Sequence, residues 1–220
     1  MTARGSSLLA VDTAVSPEIT SVSELEAVIG TPLPPVAQKE RPVLDPIDVQ
    51  WIGRSPFIMM ATSAADGSCD VSPKGDPAGF VHVLDERTLA VPERPGNRRV
   101  DGYHNILTNP HVGLIFIVPG RTDTLRVNGR ARLVRDAPYF DAMVVKSHRP
   151  ILALEVAVEE VFYHCAKAFM RSQLWKPETW NAEALPSRPA IAGALERPDM
   201  TQEELAQYYG PTYEERLYKG

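Results

Sequence analysis

The residues with the clearest chemistry lie in one turn, Pro92-Glu-Arg-Pro-Gly-Asn-Arg-Arg-Val-Asp-Gly-Tyr-His-Asn105, which carries Arg94, Arg98 and Arg99 around Gly96 and Asn97. Gly96 permits a close backbone approach, and Asn97 is a favoured helix cap. The pattern predicts a helix from Arg98 to Leu107, which would place Arg98 and Arg99 in its first turn. Cations there oppose the helix dipole by a few tenths of a kcal/mol (about 0.3 or more). A bound phosphate reverses the sign, because free amides, dipole and guanidinium groups then all favour it. The plain alternative is a pair of solvated arginines beside Glu93 and Asp101.

Three other groups could serve the same ligand. Lys74, in Ser72-Pro-Lys-Gly-Asp76, could add a cation, and Ser72 could offer a hydroxyl or simply cap the turn. Thr124, Arg126, Asn128, Arg130 and Arg132 alternate with Leu125, Val127, Gly129, Ala131 and Leu133. Of that polar face, Thr124 and Arg126 start the strand beside a turn and so can reach a ligand, while Arg130 and Arg132 read as solvated. Lys167, Arg171 and Trp175 recur at helical spacing, which suits an anionic aromatic ligand or, alternatively, a surface helix with the indole packed inward. His164 and Cys165 have no further partners at metal-ligand spacing, so no metal is expected. There is no nucleophile elbow, phosphate-binding Walker loop or GxGxxG.

These residues need a scaffold. Ser23–Ile29 reads as a short helix closed by Gly30, and Asp45-Pro46 as the start of another that runs to about Gly53 and buries Ile47, Val49 or Trp51. From Phe57 the pattern becomes β: Phe57–Thr62, a turn at Asp66-Gly67, Ser68–Ser72, Phe80–Leu84, Thr88–Pro92, then Val112–Val118, Thr124–Val134 and Leu152–Phe162. Asp136–Val145 and His164–Trp175 have helical spacing, and Lys176–Pro198 reads as irregular. Thr201 and Glu204 form a capping box for a last helix over Gln202–Tyr208. Residues 1–20 show no period and are expected to be mobile. The expected class is mainly β (α+β): a small antiparallel barrel with peripheral helices. Residues 1–54 would form an N-terminal arm, 55–175 the barrel, and 176–220 a C-terminal extension.

Composition narrows the partners. The 220 residues carry a net charge of -5, so any anion site depends on local charge. Seven arginines lie from Arg94 to Arg132 without interleaved aromatic platforms, which argues against nucleic acid. The longest apolar run, Val112–Val118, is too short to span a bilayer. Two cysteines, Cys69 and Cys165, far apart, together with no signal-peptide pattern, lead us to expect a cytoplasmic protein without a membrane partner.

The stretches FIMMATSAADGSCDVSPKGD, TLAVPERPGNRRVDGYHNILTNPHVGLIFIV and TLRVNGRARLV resemble the pyridoxamine 5'-phosphate oxidase-like family of FMN-binding split barrels, in the branch described as FMN-dependent enzymes. The resemblance covers about Ser55 to Trp175. It implies a six-stranded split barrel that forms a homodimer with FMN in the cleft between subunits. It also implies that Val91 and Pro92 pass the flavin, that Asn97, Arg98 and Arg99 hold its phosphate, that Thr124 lies near the ring, and that Lys167–Trp175 approaches from the partner chain. Ser72, Lys74 and Arg126 complete the expected cofactor set. The C-terminal signature with which the oxidase binds its own substrate is absent, so oxidation of that substrate is not expected. The expected function is an FMN-dependent oxidoreductase acting on a small molecule, with NAD(P)H or an organic reductant as donor. The alternatives are a non-catalytic flavin-binding or redox-sensing barrel, or one that uses F420 or haem.

Overall fold

The computed structural model describes residues 17–218. The expected mobility of the first residues therefore lies, up to residue 16, outside the described residues. The chain divides into two compact units, Met1–Lys39 and Glu40–Gly220. In the first, helix α1 (Val22–Ile29) starts at Ser21, whose hydroxyl accepts the Glu24 amide, and stops at Gly30. A single helical turn, α2 (Pro34–Ala37), follows.

The second unit opens with helix α3 (Pro46–Ile52), capped by Asp45 in a full capping box with Asp48. Its buried residues are Asp48 and Ile52, whereas Ile47 and Val49 face solvent and Trp51 is half-buried. The expected apolar face is thus turned by roughly a third of the helix. The reason is charge: Asp48 is held inside by a two-pronged bond from Arg41 (2.7 and 3.0 Å).

Seven strands follow in one antiparallel sheet: β1 (Phe57–Ser63), β2 (Cys69–Gly75), β3 (His82–Asp85), β4 (Thr88–Glu93), β5 (His111–Ile117), β6 (Thr124–Val134) and β7 (Leu152–His164). Their order is β2-β1-β5-β6-β7-β4-β3, one strand more than the expected six, with the split-barrel class unchanged. The alternating β6 pattern is observed: Leu125, Val127, Gly129 and Ala131 are buried. A bulge sits between Asn128 and Gly129, opposite Glu160 and Val158. A Cβ at Gly129 would come within 2.0 Å of the Ala157 carbonyl oxygen, so only glycine fits there.

The sheet curls until β2 lies beside the free end of β4. There, Lys74 reaches Glu93 (2.6 Å), and just beyond the strands Arg94 reaches Asp76 (2.6 Å). Helix α4 (Asp101–Thr108) packs over this seam against β1, β2 and β6 and stops before Pro110. It begins three residues later than the expected Arg98. Residues 136–145 form only a short 3-10 turn, Pro138–Met143. Helix α5 (Lys167–Ser172) ends at Gln173, whose φ of 52° reverses the chain, so Trp175 falls outside it. The stretch expected to be irregular contains helix α6 (Arg188–Leu195), capped by Ser187 with a proline in its first turn. Helix α7 (Gln202–Tyr208) has the expected Thr201–Glu204 capping box and packs on α6.

Candidate functional site

The basic turn between β4 and α4 lines a cleft of about 410 Å³, walled by Glu93–Val100, Tyr103, Ile151 and Leu152. Asn97 does not cap the helix. Its side-chain oxygen accepts the Arg99 amide (2.9 Å), a local turn that leaves Arg98 at φ +63°. A left-handed arginine cannot lie in a helix, so α4 starts at Asp101 behind Val100, which provides no side-chain cap. The expectation that Arg98 and Arg99 sit in the first helical turn is corrected accordingly. The cleft is lined by the loop that carries the arginines, not by a helix N-terminus at Arg98.

Four cations lie in or beside this loop, and three are already paired. Arg94 is committed to structure: it bonds Asp76, the His148 carbonyl (3.1 Å) and the Met143 carbonyl (2.7 Å). Arg99 bonds Asp101 (2.6 Å), which raises its pKa, with Asp70 adding a lesser contribution. Lys74 is held by Glu93. Arg98, exposed at the cleft, has no hydrogen bond or ion pair among the described residues. Sequence reasoning paired Arg98 with Arg99 as equivalent phosphate ligands, and the geometry separates them.

Beneath the loop, Glu93 and Tyr103 are functional candidates that the sequence reading missed. One Glu93 oxygen accepts from Lys74 Nζ (2.6 Å) and from the Tyr103 hydroxyl, while Lys74 lies 4.7 Å from the centre of the Tyr103 ring. Burial, then the Glu93 charge, raises the Tyr103 pKa far above its ordinary value, so its hydroxyl stays protonated. Glu93 had been read only as a neighbour of the arginines. Its closeness in sequence to Arg94 was the one available signal, and its pairing with a lysine 19 residues earlier was not visible.

The remaining candidates fall in two places. Ser72 is near the cleft but gives its hydroxyl to Asp70 (2.8 Å), whose side chain lies against Gly102 of α4. Val91 and Pro92 are buried and pair with Leu154 and Ala153. Thr124, also buried, pairs with His164 at the opposite end of β7. Arg126 bonds Asn128 (3.0 Å) and lies over the Phe162 ring (5.3 Å). Lys167 and Arg171 are exposed, with no hydrogen bond or ion pair among the described residues. Trp175 stacks on Phe169 (5.9 Å) and donates to the Arg121 carbonyl (2.6 Å), so it is not the third member of a helical face. The 13-residue β7 separates these groups from the cleft end by on the order of 35–40 Å of strand. A single chain therefore brings together Lys74, Asn97, Arg98 and Arg99, but not Lys167, Arg171 and Trp175.

Among the described residues, no cluster of His, Cys, Asp or Glu could hold a metal ion, and no helix is long and apolar enough to cross a membrane.

A family model described as pyridoxamine 5'-phosphate oxidase matches residues 46–165. No curated protein matches the chain. Among solved structures, a putative pyridoxamine 5'-phosphate oxidase from Lactobacillus delbrueckii is 28% identical, with 57% of this chain and 99% of that one covered at a TM-score of 0.45. An FMN-binding protein from Syntrophomonas wolfei is 9% identical (54% and 89% covered, TM-score 0.40). The haem storage protein HutZ from Vibrio cholerae is 16% identical (55% and 93% covered, TM-score 0.39).

Proposed function

The chain belongs to the pyridoxamine 5'-phosphate oxidase family, and on that premise we propose that it is a flavoprotein that binds FMN and works as an oxidoreductase on a small molecule. The observation that carries this reading is Arg98: an arginine held at φ +63° on the wall of a cleft of about 410 Å³, with no partner for its charge among the described residues. A backbone conformation of this kind costs about 1 kcal/mol or more in a non-glycine residue, and such strain clusters where a ligand is gripped. The phosphate of FMN supplies the missing partner, and the adjacent loop amides at Gly96 and Asn97 supply further donors.

In this reading the cofactor site is shared by two copies of the chain. Phe57, Met59 and Ala61 of β1 lie beside Ile117, Ile115 and Gly113 of β5 and beside Pro73 and Val71 of β2. These positions are exposed or half-buried and form an apolar sheet face. A second copy would cover it and carry Lys167, Arg171 and Trp175 of one chain to the Arg98 cleft of the other. When bound, the isoalloxazine supplies the redox chemistry, with NAD(P)H or an organic reductant as donor. The chain's own residues grip the phosphate, exclude water and keep cationic charge nearby. Cytoplasmic location fits the two unpaired, exposed cysteines, Cys69 and Cys165.

The test is the absorption spectrum of the purified protein, mass spectrometry of the ligand released on denaturation, and NADH or NADPH consumption by the loaded protein. Released FMN with nicotinamide oxidation supports the proposal. A Soret band, or protein that binds no FMN when it is supplied, refutes it.

A further inference from the structure

Below the loop arginines lies a second polar group, the Lys74–Glu93–Tyr103 cluster. The Lys74 and Glu93 side chains are only 18% and 15% exposed. Glu93 ends β4, Lys74 comes from β2 and Tyr103 from α4, so three elements converge on one carboxylate oxygen. Glu93 and Tyr103 both line the cleft. A carboxylate in the wall of an anion site is unfavourable unless it does something else, since like charges at close range repel strongly where water is scarce. Here it occupies the two donors that would otherwise turn to the ligand: the Lys74 ammonium and the Tyr103 hydroxyl.

We infer that Glu93 is a specificity-determining residue that competes with the ligand's phosphate for Lys74 and Tyr103, so that the cleft holds a phosphate monoester against a built-in counter-charge. This rests on the reading that the cleft takes the phosphate of FMN. The chemistry is simple ion-pair exchange. In the unliganded protein Lys74 is neutralised by Glu93. A phosphate near Arg98 draws on the same ammonium, and each share it takes leaves Glu93 less compensated. Removing the carboxylate ends the competition while keeping an acceptor of the same shape.

The experiment measures the affinities of FMN and of riboflavin, which lacks the phosphate, in the wild-type protein and in Glu93→Gln and Lys74→Met, with thermal melting of each variant. In wild type, FMN binds more tightly than riboflavin. Glu93→Gln is expected to tighten FMN by about tenfold and leave riboflavin unchanged. Lys74→Met is expected to weaken FMN by about tenfold, again without moving riboflavin. If Glu93→Gln leaves FMN affinity unchanged or weakens it while the protein stays folded, Glu93 is a structural bridge and the inference is overturned. Riboflavin binding and the melting curve separate loss of folding from loss of phosphate contacts. If wild type binds FMN and riboflavin equally, the phosphate reading of the cleft fails first, and this inference fails with it.

Discussion

The two ends of β7 make an instructive contrast. At the Leu152 end, the β4–α4 loop is pinned by Arg94 to three partners from distant parts of the chain, and a cleft open to solvent lies beside it. At the His164 end, α5 carries Lys167 and Arg171 outward, with no partner for either among the described residues. One end is a cleft where Arg98 has no partner among the described residues. The other presents two exposed cations. In the proposed dimer the second end of one copy would complete the cleft of the other. The positions also differ in what they cost: Arg94, Asp76 and Glu93 are embedded in the seam of the barrel, whereas Lys167 and Arg171 can change with little effect on folding.

The β6–β7 pairing joins these two ends, and the sharpest way to break both together is at its bulge. Gly129→Ala drives a methyl group into the Ala157 carbonyl and should cost about 3 kcal/mol or more. The expected fall in melting temperature is about 6–12 °C for a chain of this size. A melting temperature within a degree of wild type would mean that the bulge relaxes freely and does not hold the ends in register.

Substitution of the loop arginines separates the ends. Arg98→Ala should weaken FMN by about tenfold or more. Arg99→Ala should cost less, because part of its charge is already spent on Asp101. The double variant should lose about a hundredfold while its melting curve is unchanged. Equilibrium titration with FMN checks the ranking. If Arg99→Ala is the more damaging single change, the division into one free and three committed cations is wrong.

That division could not be read from sequence, and the reasons are physical. Periodicity reported the strands well, because the β6 alternation of Leu125, Val127 and Ala131 is enforced by burial of one face. It reported Asp45 and Thr201 as caps because capping is a contact within a few residues. It misjudged Asn97, which has the right type for a cap but satisfies the Arg99 amide in a local turn instead. It misjudged α3, because the partner that pulls Asp48 inward, Arg41, lies outside the helix. Lys74 with Glu93 and Arg94 with Asp76 depend on the sheet curling back on itself, which no local pattern encodes. The family resemblance pointed to this loop as the candidate site, but it could not say which of its cations were already paired.

At the far end, Lys167→Ala combined with Arg171→Ala should leave the melting temperature within about 1–2 °C of wild type, since neither side chain has a partner among the described residues. If α5 completes the partner's cleft, FMN affinity should fall about fivefold, and the deficit should be visible only where the protein is dimeric by sedimentation. Unchanged FMN affinity in a dimer would show that the exposed cations at this end serve something other than the cofactor.

The smallest expected effect concerns what orients this end. Arg121 lies over the Trp51 ring (4.9 Å), and its carbonyl accepts the Trp175 indole. Asp123 holds its guanidinium in a two-pronged bond (2.9 and 2.8 Å), and that bond lowers the Asp123 pKa. A depressed carboxyl pKa contributes stability that is present above the unfolded value, about 3.9, and is lost as pH falls through the folded value. The pair is largely solvated, so its contribution is about 0.2–1 kcal/mol. Asp123→Asn should therefore lower the unfolding free energy by that amount at pH 7 and by less near pH 2, as measured by denaturant titration at each pH. An equal loss at both values would mean that the carboxylate matters through shape rather than charge. Trp175 would then be placed by its stacking on Phe169 and not by a charge held on Arg121.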